Sequence, residues 1–196
     1  MPPRTTLFQN GCYYHLYNRG VNRQSIFLDH QDYVDFLLRI KRYCKQYAVQ
    51  PIAYCLMPNH FHFLVRQDGQ YRAGLIIQNA SNGYAQLFNR RHQRQGALFQ
   101  GRFRAELVDE DAYLHHLCRY IHANPVKDGF ALKPELWPYS NYLEWIGTRD
   151  GRLVDPDFIV AHFGTSDRYV AYLHDYLTNA SAIPEALRCH LAQFEQ

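Results

Sequence analysis

The chain has 196 residues, of which 47% are hydrophobic and 20% charged, with a net charge of +3. That is the size of one folded domain with an appendage, ample to bury a core, and the composition excludes a fibrous or low-complexity chain. No apolar run reaches the roughly 18 residues that span a bilayer. Met1–Asn10 lacks the apolar stretch of a secretory signal. The five cysteines are scattered without a CxxC pair, which fits reduced thiols better than a disulfide framework or a structural zinc site. The expected setting is the cytoplasm, with no membrane contact.

Charge is unevenly placed. Residues 1–127 carry 16 Lys and Arg against 8 Asp and Glu, a balance of +8, while residues 128–196 carry 5 against 10, a balance of −5. A basic body with an acidic tail fits a polyanionic partner for the body, or uneven solvated surface charge. The tail is expected either to cap the core or to limit access to the basic face.

In chain order, Tyr13–Arg19 (YYHLYNR) is short, aromatic and bounded by Gly20, which predicts a strand. Apolar spacing predicts a helix over Gln31–Tyr47. Val49–Leu56 and His60–Arg66 read as the two strands of a hairpin turning at Met57-Pro58-Asn59. Arg72–Arg91 is helical by spacing, and Phe99–Val108 alternates like a strand. Asp109–Asn124 is a helix with an acidic first turn, stopped by Pro125. Short helices are expected over Asp157–Phe163, Asp167–Thr178 and Pro184–Phe194. This order predicts an α+β fold, with helices on one face of a mainly antiparallel sheet.

Period-2 alternation puts His60 and His62 on one face of their strand and Phe61, Phe63 and Val65 on the other. The apolar set packs under helices, and the imidazoles are left on the open face. Two histidines at this spacing fit a divalent cation, or two hydrogen-bonded side chains; a metal site needs a third ligand. On the helix around residues 111–124, Leu114, Leu117, Cys118 and Ile121 form an apolar stripe, with Tyr113, Tyr120 and Asn124 on a neighbouring one. Tyr120 and Asn124 lie one turn apart. Asn124 offers an amide oxygen and Tyr120 a phenol, although both also suit core packing and a helix terminus. Tyr113 competes for any nucleophilic role.

Four blocks now carry a resemblance: YNRGVNRQSIF (Tyr17–Phe27), AYCLMPNHFHFLV (Ala53–Val65), GALFQGRFRAELV (Gly96–Val108) and RYIHANPVKDG (Arg119–Gly129). Together they resemble the IS200-like single-tyrosine (Y1) transposases among the HUH endonucleases, and most of all their REP-associated tyrosine transposase branch. The resemblance implies a ferredoxin-like (RRM-like) antiparallel sheet. The resemblance covers roughly residues 10–145; a catalytic domain is expected over 1–148, with an acidic helical extension over 149–196 packed on it.

It further implies that His60 and His62 hold Mg²⁺ or Mn²⁺, with Asn124 as third ligand where many relatives have Gln, and that Tyr120 is the nucleophile. The implied activity is cleavage and rejoining of single-stranded, hairpin-forming REP-like DNA through a 5′-phosphotyrosine intermediate, in transposition or REP mobilisation. That points to action at the bacterial nucleoid, by a monomer with its site in cis rather than a dimer. Arg19, Arg23, Arg66, Arg90, Arg91, Arg94, Arg102 and Arg104 are the expected DNA-binding residues. Tyr14, Tyr17 and Phe103 either stack on bases or fill the core. The competing readings are a non-catalytic hairpin-binding module and a metal hydrolase of a small substrate.

Overall fold

The computed structural model describes residues 6–179. The helix expected over Pro184–Phe194 lies outside the described residues. The elements are β1 (Tyr13–Arg19), α1 (His30–Tyr47), β2 (Val49–Met57), β3 (His60–Gln67), α2 (Gly74–Arg91), β4 (Arg104–Val108), α3 (Asp111–Lys127), α4 (Tyr142–Trp145), α5 (Pro156–Phe163) and α6 (Ser166–Thr178). The strands form one sheet in the order β2-β3-β1-β4, with every neighbouring pair antiparallel. Helix α1 crosses from β1 to β2 and α2 from β3 to β4, which is the ferredoxin-like arrangement.

Local chemistry explains the helices behind the sheet. Asp29 caps α1 by accepting from the Asp32 backbone N–H. Tyr33, Phe36, Ile40 and Cys44 then recur on one buried stripe. Helix α2 buries Ile76, Ile77, Ala80, Tyr84 and Phe88. These stripes meet Tyr14 and Leu16 of β1, Tyr54 and Leu56 of β2, and Phe61, Phe63 and Val65 of β3 in one core. Tyr14 and Phe103 belong to this core as packing residues. Phe103 packs against Gly74, where a Cβ would collide with its ring.

The other face of the sheet, expected to be open, is partly covered. Leu114, Leu117, Cys118 and Ile121 of α3 pack on Ala53, Cys55, Met57, Leu64 and Val108. Helices α4, α5 and α6 add Trp145, Phe158 and Tyr169 to the same cluster. Among the described residues, no helix is long and apolar enough to cross a membrane.

Two boundaries differ from the sequence expectation. Strand β4 starts at Arg104, not Phe99, because Gly101 turns the chain at φ +75°; Phe99 makes only an isolated bridge to Gly20. Helix α3 runs through Pro125 to Lys127. The proline removes one ladder donor, but its own carbonyl accepts from Phe130 and Ala131 and the Asp128 N–H returns to Asn124, so the last turn closes regardless.

Candidate nucleic-acid cleavage site

The open part of the α3 face is a cleft of about 550 Å³ at the β3–β1–β4 end of the sheet. His60 and His62 line it from β3, Tyr17 and Arg19 from β1, Arg104 from β4, and Tyr120 and Asn124 from α3. Sheet register accounts for the grouping. Tyr17 lies opposite His62 on one side and Arg104 on the other, and Arg19 lies opposite His60. Cross-strand partners share a face.

The Tyr120 ring stands edge-on to His62, with centroids 5.5 Å apart, and is 6% exposed. Asn124 is 5% exposed, and its Nδ2 donates to the Tyr120 carbonyl at 2.7 Å. Tyr113, the competing tyrosine, is buried beside Glu106 and Tyr17 and is not among the residues lining the cleft. Tyr17 donates its hydroxyl to Glu106 at 2.8 Å, and burial with that carboxylate raises its pKa.

Both cleft histidines are held through Nδ1. His60 Nδ1 lies 2.7 Å from Asn59 Oδ1, and the Asn59 amide is oriented by donating Nδ2 to the Arg23 carbonyl. Nδ1 of His60 therefore carries the proton and Nε2 the lone pair. His62 Nδ1 lies 2.9 Å from Nε2 of His15, a fully buried residue of β1 that sequence reasoning passed over. Desolvation lowers the pKa of His60, although the nearby Asp128 charge and a hydrogen bond to Asn124 oppose the shift. Desolvation, with His15 and His60 adding to it, holds His62 well below its ordinary value. Both rings are thus neutral at pH 7, the form that ligates a metal. Two neutral imidazoles plus an amide suit a divalent cation with open positions, so the donor set fits the expected metal.

The eight arginines divide. Arg19, Arg23, Arg102 and Arg104 line the cleft. Asn22 and Arg23 adopt left-handed backbone (φ 51° and 57°), and this turn carries Arg23 to the cleft rim. Arg66 instead pairs with Asp68 at 2.7 Å and Asp155 at 2.9 Å, tying β3 to the cap of α5. Arg91 pairs with Asp29 and Asp32 on the α1–α2 side. Arg94 holds the loop after α2 through Ala97 and Asn89. Arg90 is exposed on α2 and is not among the cleft residues. Asn18, Asn59, Gln100, Lys127, Asp128 and Phe130 also line the cleft unforeseen; the i, i+4 run Tyr120–Asn124–Asp128 was the signal available for Asp128.

A second groove of about 620 Å³ adjoins the first and shares Asn18 and Arg102 with it. Asp29, Asp32 and His92 also bring metal-type donor atoms within 4.8 Å of one another. There Arg91 already neutralises both carboxylates, Asp29 caps α1 and Asp32 accepts from the Leu28 N–H. That cluster is explained as structural.

Residues 8–124 match the family model described as "Transposase IS200 like". A Haemophilus influenzae protein provisionally named a REP-associated tyrosine transposase is 32% identical over 123 residues, covering 57% of this chain and 69% of the relative. A solved structure of a REP-associated tyrosine transposase bound to a REP hairpin superposes with a TM-score of 0.61 at 18% identity, covering 79% of this chain and 94% of that one. With the matched segment spanning the cleft from Tyr17 to Asn124, this chain belongs to the IS200-like transposase family, in its REP-associated tyrosine branch.

Proposed function

We propose that this protein cleaves and rejoins single-stranded DNA at the foot of a REP-like hairpin, with Tyr120 as nucleophile and a divalent cation at His60 and His62. The observation that carries the reading is the convergence of Tyr120 with the two neutral imidazoles in one arginine-lined cleft. The solved relative bound to a REP hairpin supports the choice of partner.

Each residue has a task. Arg19, Arg23, Arg102 and Arg104 bind the phosphates on either side of the scissile bond, which gives affinity and register but no base readout. His60 and His62 would hold Mg²⁺ or Mn²⁺, which would supply Lewis acidity at a non-bridging phosphate oxygen, and Asn124 steadies the turn carrying Tyr120 through the Tyr120 carbonyl. The Tyr120 oxygen attacks phosphorus and loses its proton, the P–O3′ bond breaks, and the leaving 3′ oxygen takes up a proton. The product is a 5′-phosphotyrosine and a free 3′-OH. Attack by a 3′-OH reverses these bonds and restores Tyr120, so strand transfer consumes neither water nor a nucleotide cofactor. Residues 1–148 contain all these groups, and beyond them the described helices α5 and α6 buttress α3. The proposed actor is a monomer with its site in cis, working in the cytoplasm on nucleoid DNA.

The test is a covalent protein–DNA adduct on labelled hairpin DNA with a single-stranded flank and Mn²⁺. Wild type is expected to form it, and Tyr120→Phe is not. An adduct in Tyr120→Phe refutes the nucleophile. Hairpin binding by wild type without any adduct, across metals and flanks, favours the non-catalytic binding module.

A further inference from the structure

His15 sits in the middle of β1, fully buried, on the cleft side of the sheet. Its ring stacks on Tyr17 (centroids 4.7 Å apart) and on His62 (5.1 Å). Its Nε2 meets His62 Nδ1 at 2.9 Å. Both rings are buried, His15 fully and His62 to 4% exposure. A nitrogen–nitrogen contact of 2.9 Å between two imidazoles holds one proton, and which ring owns it decides what His62 shows the cleft. If His62 owns it, Nε2 of His62 is a bare lone pair. If His15 owns it, Nε2 of His62 carries hydrogen and cannot ligate a cation.

We propose that His15 is a positioning residue that accepts the Nδ1 proton of His62 and thereby turns the His62 Nε2 lone pair into the cleft. The parallel with His60 supports this direction: there the Nδ1 partner is a carbonyl oxygen, so Nε2 is bare. His15 does for His62 what Asn59 does for His60. Metal-bound imidazoles generally donate their second N–H to an outer partner, which fixes tautomer and ring plane. In most sites that partner is a carboxylate, a carbonyl or water; here it is a second imidazole whose burial keeps it an acceptor. The stacking on Tyr17 fixes the ring plane of His15 in turn. The inference rests on the metal reading above, but its first readout does not.

That readout is the imidazole ¹⁵N spectrum of the metal-free wild-type protein at pH 7, which distinguishes the two tautomers. His62 is expected as the Nδ1–H form; finding it as Nε2–H overturns the inference. The second readout is Mn²⁺ affinity without DNA, measured by EPR. His15→Phe keeps a ring but loses the acceptor, and is expected to bind Mn²⁺ about 10-fold more weakly or worse. His15→Gln restores an acceptor and should recover most of the affinity. Wild-type affinity in His15→Phe, or no recovery in a folded His15→Gln, overturns the role. If His60→Ala with His62→Ala binds Mn²⁺ like wild type, the metal reading fails, while the tautomer still decides what His15 does to His62.

Discussion

The Asn124 amide closes back on the carbonyl of Tyr120 at 2.7 Å, across the turn where Pro125 leaves the helix one donor short. It also lines the cleft together with His60. Asn124→Ala is expected to cost about 1 kcal/mol from the missing hydrogen bond, a drop of roughly 2–4 °C in melting temperature for a chain of this size. Adduct yield should fall by more than that instability explains. An unchanged yield would leave Asn124 a helix brace only.

Tyr113→Phe separates the two tyrosines. Tyr113 is buried and lines no part of the cleft, so this variant should form the adduct as wild type does. Its loss in a variant that melts normally would move the nucleophile two turns along α3.

The arginines should divide in a salt titration. Arg102→Ala or Arg104→Ala removes a cleft cation. The slope of log affinity against log salt should then shrink by about 0.7 for each phosphate of single-stranded DNA that is no longer neutralised. Arg66→Ala should leave that slope unchanged. It should lower the melting temperature instead, because it strands the buried Asp155 at the cap of α5. A slope change in Arg66→Ala would place DNA where the fold has an ion pair.

Asp128 adds a carboxylate to a cleft otherwise rich in cations, and among the described residues no ion pair neutralises it. Asp128→Asn is expected to tighten binding of single-stranded DNA in EDTA by a fewfold and to lower the pKa of His60 further, since the Asp128 charge opposes that shift. Weaker binding in EDTA would show that Asp128 contacts the DNA favourably.

Stability should fall on mild acidification. Burial lowers His15 to about 3 and His116 and His122 to about 4, against an ordinary value of 6.5. Between about 4 and 6.5 the unfolded chain therefore binds more protons than the folded one, and stability rises with pH across that window. Melting temperature is expected to be flat above pH 7 and to decline from about 6.5 downward, before most carboxylates protonate. A flat profile between pH 5 and 7 would contradict the burial of these rings.

Much of this was legible in the chain. β1 follows from its short aromatic run bounded by Gly20, the hairpin from the Met57-Pro58-Asn59 turn, and α1 and α2 from apolar spacing. His60 and His62 stand out because alternation turns them to the face opposite Phe61 and Phe63. His15 does not, because its meaning depends on a partner 47 residues away that only register supplies. The fate of Arg66 depends in the same way on Asp155. The covered second face was illegible for a related reason. His122 bonds Tyr169 and Asn141, and Arg119 lies over Tyr172 and Tyr176, so polar-looking α3 residues are buried by a tail with no matching motif. Gly101 was readable as a breaker; Pro125 as a stop was not wrong chemistry, only outweighed by the bonds beyond it.

Helix α3 is buried on nearly every side from Tyr113 to Pro125. Sheet residues hold one flank and α6 the other, so a monomer acting in cis, as proposed, would carry its own complete set of reacting groups. Adduct formed per molecule should accordingly be the same at nanomolar as at micromolar protein, whereas a site assembled from two copies would fade on dilution.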